Sequence, residues 1–188
     1  MEFDEAVRDA AERVAGELRK RLEPRVRARW VPADKMHLTV RFVGHVEDDR
    51  APAVLEALHP PLPIASFEIA LGSCGVFPRT GPPRVFWIGL SDGGSLVQSM
   101  HDEFDRRLVP LGFSPEGRPF GAHLTMARVK ELPRGAGHAV REVIAHVRVP
   151  SVSCRITAAT VFQSSLSPKG SRYTRLMTVP LTDARSGH

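Results

Sequence analysis

Cysteine is scarce in this 188-residue chain, and its distribution excludes two classes of site. Only Cys74 and Cys154 are present, without a CxxC pair and without a histidine at the spacing of a zinc ligand. A disulfide framework and a cysteine-based zinc site are therefore excluded, and a reduced, cytoplasmic protein is predicted.

Long apolar runs are also absent. The first five residues are acidic and contain no apolar signal segment, and no stretch approaches the length that spans a bilayer. We therefore expect neither secretion nor membrane insertion.

Two further signatures are missing from the chain. There is no His-x-His or His-Glu-x-x-His pattern for zinc, and no Gly-x-Ser-x-Gly turn for a serine nucleophile. The sequence therefore predicts acid–base chemistry without a metal ion or another cofactor.

The composition is that of an ordinary globular protein, with 42% hydrophobic and 25% charged residues. We expect a single domain over residues 1–188, built on one sizeable core or on two closely packed lobes, a monomer with a disordered tail from about residue 183. The formal charge of +5 and the pI of about 9.9 favour an anionic partner such as RNA or a nucleotide.

One motif occurs twice and organises the remaining analysis. His37-Leu38-Thr39-Val40 returns 86 residues later as His123-Leu124-Thr125-Met126. In a strand, alternate side chains share a face, so each copy would present an imidazole beside a hydroxyl. Two such strands in proximity would form a cleft suited to acid–base work on an anionic group. The other six histidines have no repeated partner, and we predict that they are surface or boundary residues.

Periodicity predicts the secondary structure around the two motifs. Helices are expected at 4–22, 48–58, about 92–108 and about 136–147, and strands at 36–43, 67–71, 84–90, 122–129, 153–166 and 173–179. In the third helix the predicted buried stripe is Leu96, Met100, Phe104 and Leu108. The segment 23–30 is expected to be a connection whose Arg25, Arg27 and Arg29 either line a phosphate path or form a solvated face.

The order helix, His-x-Thr strand, helix, two strands occurs twice, which indicates two α+β lobes related by a pseudo-two-fold axis. Several motifs then carry a family resemblance: Trp30-Val31-Pro32, both His-Leu-Thr segments, Gly75-Val76-Phe77-Pro78, 83–87, Gly112-Phe113, Arg118-Pro119-Phe120 and 165–170 with Tyr173. In this respect the chain resembles the two-histidine phosphoesterase superfamily, in its branch of RNA 2′,3′-cyclic phosphodiesterases, also called LigT-like proteins or 2′-5′ RNA ligases.

The resemblance implies two lobes of antiparallel sheet with helices outside, a cleft between them, and metal-free opening of a 2′,3′-cyclic phosphate to a 2′-phosphomonoester. It implies that His37 is the acid and His123 the base, although a pseudo-symmetric site could run either way. Thr39 and Thr125 would bind the non-bridging oxygens.

Two arginines are candidates for substrate binding. Arg128 resembles a family arginine that contacts phosphate or ribose, but strict alternation points it away from His123, so a bulge or a strand end is required. Arg41 lies on the histidine face by alternation. For both arginines a structural salt bridge is the alternative.

The chain departs from the resemblance at its start, where the family has a short apolar strand before the first helix. Either the first lobe lacks this strand, or the true start lies upstream. The alternatives in function are a phosphodiesterase for small cyclic phosphates such as ADP-ribose 1″,2″-cyclic phosphate, or a non-catalytic nucleotide- or RNA-binding module. Ligation of RNA ends would be the reverse of the same reaction.

Overall fold

The computed structural model describes residues 1, 3–23, 25–116, 119–167 and 170–182, without the side chains of 166, 167, 170 and 171. The predicted disordered tail from residue 183 lies outside these residues. Four α-helices are described: α1 (Glu5–Leu22), α2 (Ala51–Leu58), α3 (Gly94–Leu108) and α4 (Gly137–Ala145). The seven described strands are β1 (Arg27–Trp30), β2 (Phe67–Phe77), β3 (Val85–Asp92), β4 (His123–Glu131), β5 (Ser153–Ile156), β6 (Ala158–Ser167) and β7 (Gly170–Pro180).

The strands form two antiparallel sheets, which confirms the predicted α+β class. The larger sheet has the order β1-β4-β3-β2-β5, and β6 with β7 forms a two-stranded sheet. The single strand predicted at 153–166 is wrong, because the chain breaks at Thr157 and passes from one sheet to the other. The predicted connection at 23–30 contains β1, which is an edge strand of the larger sheet.

The strand predicted at 36–43 is also wrong. A 3₁₀ turn at Ala33–Lys35 follows β1, and within the described residues only Leu38 of this segment makes a ladder bridge. Val31 still donates its N–H to the carbonyl of Met126, but Pro32 has no N–H with which to continue the ladder. The chain loops outward at the turn and returns to the same edge of β4 at Leu38.

The helices follow from amphipathic periodicity. The side chain of Asp4 caps α1 by accepting from the N–H of Val7, and the buried face of α1 is apolar. In α3 the prediction for Leu96 is wrong, because it is 38% exposed while Val97 is buried. The predicted stripe advances by four residues at each step, whereas one helical turn contains 3.6 residues. Its successive members therefore drift across the helix face, and the first one lies outside the buried face.

One apolar core joins the large sheet to the helices. Its fully buried members include Leu18, Leu38, Phe86, Leu124 and Met126. Within the part of the chain that the structure describes, none of the helices combines the length and the hydrophobicity of a membrane-spanning segment.

Candidate active site

The two His-Leu-Thr motifs meet along one edge of β4. Leu38 and Leu124, the central residues of the two motifs, form an antiparallel bridge. Across such a bridge His37 stands opposite Thr125, and Thr39 stands opposite His123. The two histidines are therefore diagonal neighbours, which in a regular ladder lie about 7–8 Å apart.

Burial separates the motif residues into two faces, as predicted. Leu38, Val40, Leu124 and Met126 are all buried. The histidines and Thr125 are half-buried, and Thr39 is exposed. One face of each motif therefore packs in the core, while the other brings imidazoles and hydroxyls into a shared cleft.

Both imidazoles are held by the same backbone contact. Nδ1 of His37 lies 2.8 Å from the carbonyl oxygen of Lys35, and Nδ1 of His123 lies 2.6 Å from that of Gly121. A carbonyl only accepts, so each Nδ1 carries the donated proton. The contact orients each ring and leaves Nε2 as the nitrogen available for proton transfer.

The two threonine hydroxyls are available for hydrogen bonding. Within the described part of the chain neither Thr39 nor Thr125 uses its side chain in a hydrogen bond. A hydroxyl is both donor and acceptor, so each can donate to an oxygen of an anion placed between the histidines.

Two aromatic rings lie beside His123. Its ring centroid lies 5.0 Å from that of Phe77, in an edge contact, and 6.3 Å from that of Trp87. The Trp87 indole lies across Gly75, where an added Cβ would come within 2.3 Å of the ring. Glycine at this position is therefore required for the packing that brings the indole next to His123.

The other histidine lies beneath the β6–β7 hairpin. The Tyr173 ring makes an edge contact with His37, with centroids 5.4 Å apart, and remains 43% exposed. Burial is the main cause that lowers the pKa of His37 below 6.5, and the positive charges of the amino terminus and Arg128 act in the same direction. The hydrogen bond to Lys35 opposes this shift. His37 is therefore biased toward its neutral form at neutral pH.

Arg128 reaches the cleft face through a bulge in β4, as the sequence required. Thr125 pairs with Trp87 and Ala127 pairs with Phe86, so Met126 is an extra residue. The bulge reverses the alternation beyond Met126, and the exposed Arg128 shares the face of Thr125. Its charge is close enough to act on His37.

Arg41 forms structural salt bridges, which was the alternative to substrate binding. Its side chain is only 7% exposed and is paired with Asp105 and, at 3.5 Å, with Glu116. It also donates to the carbonyls of Phe42 and Ser114. The chain bends at Val40, so alternation no longer predicts the face on which Arg41 lies.

One other histidine differs from the prediction. His101 on α3 is 4% exposed and its Nδ1 lies 2.8 Å from the carbonyl oxygen of Val40. The prediction that it is a surface or boundary residue is wrong, because its neighbours come from distant parts of the chain. Among the residues that the structure describes, no three His, Cys, Asp or Glu side chains gather as metal ligands would.

Five parts of the site were not predicted from the sequence: the carbonyls of Lys35 and Gly121, and the rings of Phe77, Trp87 and Tyr173. Backbone carbonyls leave no trace in residue identity. The aromatic residues stood within family motifs, but their approach to the histidines depends on how the strands pair.

Comparison with known proteins agrees with a chain of two halves that each carry one His-Leu-Thr motif. A sequence profile described as LigT like Phosphoesterase matches the chain twice, over residues 3–87 and 88–173. Each match contains one His-Leu-Thr motif, which agrees with the predicted duplication.

Several curated relatives have the name RNA 2′,3′-cyclic phosphodiesterase. The Thermotoga maritima protein is 29% identical over 92% of this chain and 88% of its own length. The Methanothermobacter thermautotrophicus protein is 28% identical over 93% and 92%. The Aeropyrum pernix protein is 38% identical over 53% of this chain, and the match covers 56% of that relative.

Solved structures share the fold. A Thermus thermophilus protein superposes with a TM-score of 0.73 at 25% identity, covering 97% of this chain and 96% of that one. The LigT protein of E. coli, complexed with 3′-AMP, superposes with a TM-score of 0.68 at 24% identity, covering 94% and 93%. Since the profile matches extend over both halves and each half supplies one motif to the cleft, this chain belongs to the LigT-like phosphoesterase family.

Proposed function

We propose that this protein hydrolyses RNA 2′,3′-cyclic phosphate ends to 2′-phosphomonoesters, with His37 and His123 as a general acid and base. The observation that supports this most directly is the bridge between Leu38 and Leu124, which sets two oriented imidazoles diagonally across one cleft. The name that the curated relatives share adds the substrate class.

The arrangement suits an in-line displacement at phosphorus. A neutral imidazole takes a proton from water through Nε2 as the water oxygen forms its bond to phosphorus. The protonated imidazole gives its proton to O3′ as the O3′–P bond breaks, which leaves the phosphate on O2′. Thr39 and Thr125 donate hydrogen bonds to the non-bridging oxygens as negative charge builds on them.

The order of the two roles is where the resemblance and the electrostatics differ. The resemblance implies that His37 is the acid. The lowered pKa of His37 instead favours a neutral ring in the free protein, which is the form that a base requires.

The first test is turnover of a nucleoside 2′,3′-cyclic phosphate, with the position of the product phosphate determined by NMR. His37→Ala and His123→Ala should each lower kcat by roughly 10²–10⁴-fold. His59→Ala is the matched control, since His59 is exposed and lies outside the cleft. Normal folding with near wild-type turnover in either active-site variant would leave a nucleotide-binding module as the better description.

The second test concerns metal ions. A chelator should leave turnover unchanged, because the two imidazoles supply both proton transfers. Activity that is lost on chelation and restored by one added metal would overturn the proposed mechanism.

A further inference from the structure

Two arginines stand side by side on the cleft face beyond the histidines. Arg29 on the edge strand β1 pairs directly with Arg128 on β4. Directly opposed residues of an antiparallel pair point to the same face, so Arg29 shares the cleft face with Arg128. Both are exposed, and within the described residues neither has an ion-pair or hydrogen-bond partner.

The neighbouring pair on the same two strands is neutralised. Arg27 faces Glu131 across the strands and forms a salt bridge with it at 2.8 Å. Like charges that stand opposite each other are unfavourable, whereas opposite charges are favourable. The protein therefore keeps an unneutralised pair of positive charges at one position and compensates the charge two residues away.

The position of this pair relates it to the histidines. Along β4 the bulge leaves Arg128 two to three strand steps beyond Thr125, which is roughly 7–10 Å at 3.3 Å per residue. Arg29 extends the same edge of β4 that the first His-Leu-Thr motif occupies. A substrate with its cyclic phosphate between the histidines would reach the arginines within the span of one nucleotide.

We propose that Arg29 and Arg128 form a subsite for a second phosphate of the substrate, the phosphodiester on the 5′ side of the nucleotide that bears the cyclic phosphate. An anion between the two guanidinium groups would relieve their repulsion and accept charge-assisted hydrogen bonds from both. This inference rests on the proposed function and makes it more specific, because it favours RNA chains over single nucleosides.

The test uses two substrates that differ only in this phosphate: a nucleoside 2′,3′-cyclic phosphate with a 5′-hydroxyl and the same compound with a 5′-phosphate. The wild-type protein should prefer the 5′-phosphorylated compound by about tenfold or more in kcat/KM. Arg29→Gln should reduce this preference severalfold, to what Arg128 alone can support. Arg27→Gln, the matched control on the same strand, should keep the wild-type preference.

Folding and salt dependence provide two further readouts. Arg29→Gln should melt at or above the wild-type temperature, since it removes a like-charge contact. We also expect a change in how salt weakens the binding of an oligonucleotide that ends in a cyclic phosphate. In a plot of log affinity against log salt concentration, the slope for Arg29→Gln should be shallower than the wild-type slope by about one. The subsite would be overturned if Arg29→Gln left the preference unchanged, or if the wild-type protein showed no preference.

The second phosphate could also come from a pyrophosphate, so ADP-ribose 1″,2″-cyclic phosphate is the third substrate. If Arg29→Gln impairs only that compound, assignment to an RNA phosphodiester is wrong. Should the proposed function itself fail, none of the three compounds would turn over. Calorimetric binding of nucleoside 2′-phosphates with and without a 5′-phosphate would then still show whether Arg29 holds the second phosphate.

Discussion

The imidazole of His101 stacks on the ring of Phe120, with centroids 4.5 Å apart and planes 18° from parallel. This contact lies between the two motifs. His101 also contacts the carbonyl of Val40, the last residue of the first motif. Phe120 directly precedes Gly121, whose carbonyl orients His123. One buried side chain on α3 therefore contacts the end of one motif and the approach to the other.

We expect His101→Ala to lower both stability and turnover. The substitution leaves the carbonyl of Val40 without its donor, which costs about 1–3 kcal/mol, and opens a cavity beside Phe120. Because both motifs lose support, kcat should fall more than KM rises. Urea unfolding and steady-state kinetics measure the two effects. A variant with reduced stability but wild-type kcat would limit His101 to a role in folding.

We expect Glu103→Gln to reduce stability near neutral pH. Arg106, and after it Arg107, lowers the pKa of Glu103 from 4.5 to about 2. Arg107 also donates to the carbonyl of Leu58 at the end of α2 and to those of Pro60 and Pro61 just after it, so Glu103 helps to hold α3 in place. The folded state therefore favours the ionised carboxylate, and its contribution is present above pH 4.5 and is lost as the pH falls toward 2.

The measurement for Glu103 is the difference in melting temperature between the wild type and Glu103→Gln as a function of pH. The gap should be largest near pH 7 and should shrink steadily below about pH 4.5. Glu12→Gln, an exposed substitution on α1, is the control and should show a small gap at every pH. A gap for Glu103→Gln that is independent of pH would contradict the ion-pair explanation.

We expect Arg41→Gln to act on stability rather than on substrate binding. Its guanidinium pairs with both Asp105 and Glu116, so its loss removes a cationic partner from two partly buried carboxylates and leaves Asp105 with His101, 3.6 Å away. Since both partners are more accessible than those of a fully buried pair, the loss should be up to roughly 3 kcal/mol. Denaturant unfolding measures this value. A rise in KM without loss of stability would instead indicate that Arg41 binds the substrate.

Local geometry explains which parts of the site the sequence could predict. The faces of His37, Leu38 and Thr39 follow from the alternation of any extended chain, so they were predicted correctly even though the segment is not a regular strand. The same rule does not extend to Arg41, because the chain bends at Val40. Periodicity is informative only while the backbone stays extended.

Tertiary contacts account for what the sequence could not predict. His101 is buried because α3 packs against Val40 and Phe120, which are distant in sequence. Arg29 is a candidate for substrate binding only because the register of β1 and β4 places it opposite Arg128. The sequence alone therefore could not decide whether the arginines of this segment line a phosphate path or form a solvated face, because that depends on how the strands pair.

The pH dependence of kcat/KM is expected to be a bell whose rising limb lies below pH 6.5, because burial lowers the pKa of His37. Each limb belongs to the coupled pair, so the wild-type curve alone does not assign the roles. The single variants do. If His37 is the base, His37→Ala retains only the acid His123, and its profile only falls with increasing pH. If His37 is the acid, the remaining base gives a profile that only rises. The lowered pKa of His37 predicts the falling profile, and a rising one would restore the order that the resemblance implies.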